Sequence, residues 1–449
     1  MWGQQAAIDH ISAESLRTHL NYIASDELEG RNTPSHGLDL AADYIAAQFQ
    51  HAGLEPGAGD SYFQSAKFEQ AAVSMDGFSL SLLAGRHEVK PENRFVRVRS
   101  LDGLNLTDTP VVKLPGNGAI PPVAGLIVAG DERRWGMETL LNELQKRRPA
   151  LILLIGRSRE ARGNPPAGPV NFLADGNDYV PMIRIRQTEA LDLLTGKDAM
   201  TVTVHLTQPA VKQVTLRNVA GIIRGSDPAL RDQYVLLTAH YDHLGKGSRG
   251  IFHGANDNGS GTVSVMEIAA ALATINPHPK RSILFMTVFG EEEGLLGSYY
   301  YTHHPLVPLG STVADINLEQ MGRTDEQTGR EVHAFAFTGP EFSDLPAIMT
   351  HAAKAEGISV YRRKDADDYF DRSDNYTFAQ HGVIAHTIAV AFEYPDYHAL
   401  GDTVDKIDFA NMAAVDRGIA AGLIELADEP GVPQWSDAKG AAVYRSAGR

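Results

Sequence analysis

The sequence predicts an α/β protein with a mixed sheet, parallel at its centre, sandwiched between helices. Residues 234–239 and 283–289 are continuous apolar runs, which is typical of strands covered on both faces. Apolar residues at helical spacing over 262–273 predict a helix between these two strands. The apolar runs at 313–318 and 383–390 repeat the strand pattern. Alternating strands and helices of this kind favour a layered α/β architecture.

The chain is expected to have four regions. Residues 105–214 carry thirteen basic and eleven acidic side chains, whereas residues 215–430 carry sixteen basic and thirty acidic ones. This change in charge predicts a domain boundary near residue 210. The expected regions are a lead-in of helices and strands at 1–104, a mainly-β insert at 105–210, the α/β domain at 211–430 and a C-terminal tail at 431–449.

The lead-in is expected to contain one well-defined helix. Apolar side chains at Leu38, Ala41 and Ile45 recur at the spacing of one helical face. Ser35 is a suitable residue to cap the first turn, and Gly53 is a suitable residue to end the helix.

Composition excludes several classes of protein. Of the 449 residues, 40 are basic and 56 are acidic, and a net charge of −16 argues against nucleic acid or an anionic membrane as partner. No stretch approaches the roughly 18 apolar residues of a membrane span. The absence of cysteine excludes thiol chemistry and disulfides, so a transition metal would have to be held by histidines and carboxylates.

Metal-binding residue types follow the predicted strands. In open α/β sheets, ligands bind at the carboxyl ends of the strands. Taken singly, each such residue is more often structural, but their recurrence at successive strand ends predicts a metal site. The candidates, including one loop residue before the 262–273 helix, are His240, Asp242, Asp257, Glu291, Glu292, Glu319 and His398.

The number of candidate ligands predicts two metal ions. Two imidazoles and three carboxylates are more than one four-coordinate zinc needs if it keeps a position for water. Asp257, Glu292 and Glu319 supply three negative charges, which with one hydroxide neutralise two divalent ions. Glu291 is then free to act as a general base. Asp242 lies close enough in sequence to orient a ligand.

Six segments of the chain resemble the signature segments of the M28 family of metallopeptidases, in the family's order and over residues 215–410. These segments are HYDH at 240–243, GANDNGSG at 254–261, GEEEGLLGS at 290–298, INLEQMGR at 316–323, RSDN at 372–375 and DYH at 396–398. LEGR at 28–31 and TVDKID at 403–408 are similar to segments that flank the domain in family members. Residues 105–205 resemble a protease-associated (PA) insert.

The resemblance implies a zinc exopeptidase fold, of the phosphorylase/hydrolase-like type, and two zinc ions acting on peptide substrates. By the resemblance, His240 and Glu319 bind one zinc, Glu292 and His398 bind the other, Asp257 bridges them, Glu291 is the catalytic base and Asp242 is a supporting acid. It also implies a cis peptide bond between Asp257 and Asn258.

Two positions depart from the family pattern. Glu319 stands where most members have aspartate, which leaves the geometry and metal preference of that half-site open. Asn375 stands where many members have histidine, and we expect this difference to alter the substrate side of the cleft.

An acid-rich rim favours binding of a free α-ammonium group, so an aminopeptidase is the preferred function. A carboxypeptidase of the same fold is the alternative, with Arg323, Arg363 or Arg372 binding the substrate carboxylate. A glutaminyl cyclase would need only one metal, and an inactive binding relative would have lost ligands.

The location of the protein is expected from the resemblance, because many PA-bearing members are periplasmic or secreted. The first residues lack the basic and apolar segments of a signal peptide. Export therefore requires that the signal has been removed, and a cytoplasmic location is the alternative.

Overall fold

The computed structural model describes residues 2–116, 119–135, 138–158, 170–174, 180–326, 329 and 331–447. The chain divides into two compact units. The first consists of Met1–Ala66 and Leu216–Arg449, and the second consists of Lys67–Thr215.

The secondary structure alternates between helices and strands in the first unit and is richer in strands in the second. The α-helices are α1 (Trp2–Asp9), α2 (Ala13–Ile23), α3 (His36–His51), α4 (Glu132–Trp135), α5 (Glu138–Gln145), α6 (Thr188–Thr195), α7 (Gly261–Ala273), α8 (Leu296–His303), α9 (Leu345–Ala355), α10 (Asn375–Gln380), α11 (Phe409–Asp428) and α12 (Ala442–Ala447). The strands are β1 (Glu55–Pro56), β2 (Phe63–Ala72), β3 (Ser79–Ala84), β4 (His87–Val89), β5 (Val96–Arg99), β6 (Leu104–Lys113), β7 (Ile127–Asp131), β8 (Leu151–Gly156), β9 (Val170–Ala174), β10 (Met182–Arg186), β11 (Met200–Leu206), β12 (Ala210–Ile223), β13 (Tyr234–His240), β14 (Gly245–Gly247), β15 (Gly250–Phe252), β16 (Ser282–Val288), β17 (Thr312–Glu319), β18 (Ala334–Phe337), β19 (Ser359–Val360) and β20 (Ala385–Ala389).

The first unit is built on a mixed sheet in which the strands run in the order β19, β18, β20, β17, β13, β16 and β12. The four central strands β20, β17, β13 and β16 are parallel to one another. Strands β12 and β18 pair antiparallel to this central group. The predicted α/β fold with a centrally parallel sheet is therefore confirmed, and the carboxyl ends of four strands lie along one edge.

Helices cover both faces of this sheet. Helix α7 contacts β13, β16 and β17, and it packs with α2, α3 and α11. Helices α8 and α10 contact β16, β17 and β20, and their Tyr301 and Phe378 pack with Leu236 and Leu284 in one buried cluster. Both sides of the central strands are buried, and one side of β17 carries the buried polar residues Asp315 and Asn317. Among the described helices, none has the length and apolarity needed to cross a membrane.

The sequence predictions match these elements closely. Strands expected at 234–239, 283–289, 313–318 and 383–390 are β13, β16, β17 and β20, and the helix expected at 262–273 is α7. Helix α3 begins after Ser35, whose Oγ accepts a hydrogen bond from the backbone N–H of Leu38 at 3.0 Å. The predicted helix cap is confirmed.

The second unit contains an eight-stranded sheet in the order β4, β3, β11, β6, β7, β8, β10 and β5. Strands β6, β7, β8 and β10 are parallel, and the remaining pairs are antiparallel. Successive residues of β8, such as Ile152 and Leu153, belong to different buried clusters, so this sheet has two apolar faces. The expected insert at 105–210 falls within this unit. Its assignment as a PA domain stays a prediction.

The described part of the C-terminal tail packs against the first unit. Trp435 Nε1 donates a hydrogen bond to the backbone carbonyl of Gly382 at 3.1 Å. Ala441 is fully buried, and Tyr444 stacks on Trp435 with 5.5 Å between ring centroids. These contacts add an aromatic cover over the α10 side of the sheet.

Candidate metal centre

The first group of donor atoms lies at the ends of two adjacent parallel strands. Strand β13 ends at His240 and strand β17 ends at Glu319, both of them buried. His240 Nε2 lies 3.4 Å from Glu319 Oε1 and 3.5 Å from Asp257 Oδ1. These three side chains form one cluster able to hold a metal ion.

The second group lies on the other side of Asp257. Glu292 follows β16, and His398 lies on the loop after β20. His398 Nε2 is 3.1 Å from Asp257 Oδ2 and 3.2 Å from Glu292 Oε1. The two carboxylate oxygens of Asp257 therefore face two separate pairs of donors.

The donor spacing fits zinc. Four ligands at 2.0–2.1 Å from a tetrahedral zinc lie about 3.3 Å apart, and the separations here are 3.1–3.5 Å. The buried oxygens Asp257 Oδ2 and Glu292 Oε1 have imidazole nitrogens of His398 and His243 nearby, but none of these contacts has the geometry of a good hydrogen bond. Buried carboxylate oxygens without good hydrogen bonds are costly unless a cation compensates them. The residues present therefore fit divalent ions bound through nitrogen and oxygen.

Glu291 and Asp242 lie beside the donor cluster. Glu291 Oε2 is 3.9 Å from His240 Nε2, farther away than the ligand candidates. Asp242 Oδ1 accepts a hydrogen bond from the backbone N–H of Glu291 at 3.1 Å and lies 3.4 Å from His240 Nδ1. Thr33 Oγ1 donates to the other oxygen of Asp242 at 3.1 Å. Asp242 thus restrains both the His240 ring and the backbone of Glu291.

The combined effect of burial and neighbouring charges raises the pKa values of two side chains of the cluster, His398 and Glu291. Burial lowers the pKa of His398, but contacts with Asp257 and Glu292 outweigh burial and raise it to about 11. Burial raises the pKa of Glu291 well above its usual value; the positive charge of His240 opposes this effect, while Glu292 adds to it. Strongly shifted pKa values in one pocket are typical of functional sites.

The loop that carries Asp257 is held by several local contacts. Gly254 has φ +56°, and a Cβ there would lie 2.3 Å from the carbonyl oxygen of Asp257, so only glycine fits. The peptide bond between Asp257 and Asn258 is cis, as the resemblance implies. Asp402 accepts a hydrogen bond from the Asp257 N–H at 3.0 Å, and Asn258 Nδ2 donates to the Leu318 carbonyl at 2.8 Å.

His243 was not among the predicted ligands, yet the structure places it at the site. It is fully buried, and its Nδ1 lies 2.9 Å from Glu292 Oε1. With Asp257 and Glu292 it forms a second group of donors able to hold a metal ion. Its position three residues after His240, in the same segment, is the sequence signal that could have identified it.

Arg31 and Asp402 are two further residues whose importance sequence reasoning missed. Arg31 is fully buried, and its guanidinium donates to the carbonyl oxygens of Tyr241 at 2.7 Å and Gly254 at 3.0 Å. Asp402 is fully buried below the Asp257 loop. Arg31 lies inside one of the flanking segments that resemble the family, and Asp402 lies next to the other. The resemblance therefore pointed to these parts of the sequence, but it did not predict the contacts of the two side chains.

The expectation that Asn375 alters the substrate side of the cleft is wrong. The side chain is fully buried and accepts a hydrogen bond from Thr387 Oγ1 at 2.8 Å. Its amide nitrogen donates to the Phe370 carbonyl at 3.1 Å. An amide that satisfies both its donor and its acceptor inside the protein does not line the cleft.

The fold and donor cluster together describe an α/β domain with side chains that fit divalent metal ions. Residues 218–423 match the family model described as Peptidase family M28. The part of the chain at residues 218–423 belongs to peptidase family M28, and it contains every candidate ligand.

Relatives of this chain carry the names vacuolar membrane protease, aminopeptidase and carboxypeptidase. "Aminopeptidase NAALADL1" of Mus musculus is 28% identical over 255 residues, which cover 49% of this chain and 32% of that protein. "Probable glutamate carboxypeptidase AMP1" of Arabidopsis thaliana is 28% identical over 246 residues, which cover 50% of this chain and 33% of that protein. The chain spans between 15 and 52% of the length of the first five curated relatives.

A solved structure shares the fold over nearly the full length. The aminopeptidase from Aneurinibacillus sp. strain AM-1 matches with a TM-score of 0.61 and 18% identity, covering 96% of this chain and 97% of that one. At this identity the match supports the fold alone.

Proposed function

We propose that the chain is a dizinc exopeptidase that removes N-terminal residues from peptides. The observation that carries this proposal is the position of Asp257, whose Oδ1 faces His240 and whose Oδ2 faces His398. Glu319 completes the first pair of donors and Glu292 completes the second. One bridging carboxylate between two imidazole–carboxylate pairs supports binding of two ions.

The reaction proposed is hydrolysis of a peptide bond by water. Bound zinc supplies Lewis-acid chemistry, which polarises a carbonyl and lowers the pKa of water from 15.7 towards about 7. Glu291 accepts the proton of the attacking water and returns it to the leaving amine. Asp242 holds the imidazole of His240 and the backbone of Glu291 in place.

Two of the three arginines considered for carboxylate recognition are already paired, which supports the aminopeptidase. Arg323 Nη1 lies 3.1 Å from Asp396 Oδ2. Arg363 is buried, forms a salt bridge with Asp325 and places Nη2 2.8 Å from Asp365 Oδ2. Neither guanidinium is available to neutralise a substrate carboxylate without losing these partners.

A carboxypeptidase is the second candidate because Arg372 is exposed and one relative is named a carboxypeptidase. The Arg372 Nε donates to the Asp368 carbonyl at 2.9 Å, and its guanidinium lies over the Tyr369 ring. This arginine could contact a substrate carboxylate at the surface.

The proposal is tested by metal content and substrate choice together. The purified protein should contain two zinc ions per chain and cleave aminoacyl p-nitroanilides, whereas N-acetylated analogues should remain intact. Cleavage of N-blocked peptides from their free carboxyl end would replace the aminopeptidase with the carboxypeptidase. One zinc ion with cyclisation of N-terminal glutamine would indicate a glutaminyl cyclase, and protein without stoichiometric zinc or activity would indicate an inactive relative.

Two further parts of the proposal concern the PA-like insert and the location of the protein in the cell. We propose that the PA-like residues 105–210 affect the choice of substrate, and replacing the whole second unit, Lys67–Thr215, with a short linker should change the ratio of activities on long and short peptides. An unchanged ratio would indicate a spacer. A periplasmic or secreted location is tested by fractionating cells that express the complete gene.

A further inference from the structure

A buried chain of hydrogen bonds ends on the carboxylate of Glu319. Ser373 Oγ donates to Glu319 Oε1 at 2.5 Å, and Asn317 Nδ2 donates to Ser373 Oγ at 2.7 Å. Asn317 and Glu319 are two residues apart on β17, so their side chains leave the same face of the strand. Solvent reaches none of the three appreciably, with exposed fractions of 0% for Asn317, 6% for Ser373 and 7% for Glu319.

At its other end, this series of hydrogen bonds begins with Asn375, and the contacts of Asn375 determine which group donates at each step. Asn375 Nδ2 donates to the Phe370 carbonyl at 3.1 Å, so its Oδ1 accepts from Thr387 Oγ1 at 2.8 Å. A hydroxyl has one proton, so Thr387 must in turn accept a hydrogen bond, which Asn317 Nδ2 supplies at 3.0 Å. The second amide proton of Asn317 goes to Ser373, whose own proton is thereby directed to Glu319.

Glu319 needs such an anchor because its side chain is long. Glutamate has one more rotatable bond than aspartate, so its carboxylate loses more conformational freedom when it is fixed as a ligand. A short hydrogen bond from a hydroxyl to an ionised carboxylate is stronger than a neutral one. Fixing one oxygen in the free protein removes part of that entropy cost before an ion binds.

We propose that Ser373 is a positioning residue that holds the Glu319 carboxylate in place for metal binding, and that Asn317, Thr387 and Asn375 orient the Ser373 hydroxyl. The inference rests on the proposed function, since it assigns Glu319 to one of the two zinc half-sites. Residues behind metal ligands of this kind typically change metal affinity by 10–100-fold when they are replaced.

The test compares three variants of the full-length protein. Ser373→Ala removes the hydroxyl, and Ser373→Thr keeps it. The matched control is Ser264→Ala, because Ser264 is a fully buried serine that donates to the Asp416 carboxylate at 2.9 Å, among residues of α7 and α11 that hold no predicted ligand. Zinc affinity is measured by competition with a chromophoric chelator, and thermal melting of the metal-free proteins measures folding.

Ser373→Ala should lower the affinity for one of the two zinc ions by about 10-fold or more and leave the affinity for the other unchanged. Ser373→Thr should bind both ions within about 3-fold of wild type, and Ser264→Ala should change neither affinity although it lowers the melting temperature. Wild-type affinity at both sites in Ser373→Ala would overturn the inference, and so would equal losses at both sites.

Failure of the proposed function gives a different result. A wild-type protein that binds two zinc ions but cleaves no aminoacyl substrate would remove the peptidase assignment, and the affinity comparison for Ser373 would still be decisive. A wild-type protein that binds no zinc would overturn both. If Ser373→Ala does not fold, Asn375→Ala replaces it, with a smaller loss at the same ion expected because the Ser373 hydroxyl then loses its fixed direction. Unchanged affinity in that variant would overturn the role of Asn375.

Discussion

Replacing Arg31 by lysine should weaken zinc binding as well as folding. The Arg31 guanidinium makes four hydrogen bonds to backbone carbonyl oxygens, those of Ile23, Tyr241, His253 and Gly254. Tyr241 directly follows the proposed ligand His240, and Gly254 begins the loop that carries Asp257. The arginine therefore ties two ligand-bearing loops to helix α2.

The size of the effect follows from these bonds. Each hydrogen bond to a charged group contributes about 1.5–3 kcal/mol, so a lysine that keeps about half of the four should lower the free energy of unfolding by about 3–6 kcal/mol. Burial lowers the pKa of Arg31 to about 10, although the nearby carboxylate of Asp242 raises it. The environment of the native guanidinium therefore already disfavours a positive charge. Zinc affinity should fall by about 10-fold because the loops lose their common anchor.

Arg281 provides the matched control. It is also fully buried and donates to the carbonyl oxygens of Leu426, Glu429 and Pro430 and to Gln233, but it precedes β16, at the opposite end of that strand from Glu292. Urea unfolding and zinc competition are measured for Arg31→Lys and Arg281→Lys. Both variants should be destabilised, and only Arg31→Lys should lose zinc affinity. Equal zinc affinity in the two variants would refute the reasoning.

Three further outcomes are expected. Glu291→Gln should retain two zinc ions while turnover falls by about 100-fold or more, because the general base is lost; near-normal turnover in a steady-state assay would remove that role. Arg372→Ala should leave aminopeptidase activity within about 2-fold, whereas loss of a carboxypeptidase activity in the same variant would support the second candidate. Burial lowers the pKa of His386 to about 4, from about 6.5 in the unfolded chain, so the unfolded state binds its proton first as the pH falls. As the pH falls from 6.5 to 4, this group should therefore lower the free energy of unfolding by about 3 kcal/mol. Urea unfolding of His386→Gln should show a shallower dependence of that free energy on pH than wild type, and equal dependences would contradict the effect.

The sheet and the edge at which the candidate donors gather could be predicted because both follow from local patterns, whereas the division of the donors into two pairs is implied only by the resemblance to the M28 family. Continuous apolar runs identify β13 and β16, and the residues after each run must lie at the carboxyl edge of a parallel sheet. His240 and Glu319 are therefore brought together by strand pairing alone. The structure bears out this placement, with 3.4 Å between the two side chains.

The residues that hold the donors in place could not be predicted in the same way. Ser373 reaches Glu319 across 54 positions of sequence, and Arg31 reaches Tyr241 across 210. No periodic pattern or fixed spacing in the sequence indicates either contact, because each one depends on how the loops pack on the folded sheet. Asn375 shows the same limit, because this polar residue of a signature segment was expected to alter the substrate side of the cleft and its side chain is fully buried.

Anomalous diffraction from crystals of the zinc-loaded protein tests the two-ion arrangement most directly. Data collected on both sides of the zinc absorption edge should give two peaks next to Asp257. One peak should lie within bonding distance of His240 and Glu319, and the other within bonding distance of His398 and Glu292. A single peak, or a second ion bound through His243 with His398 turned away, would contradict the proposed centre.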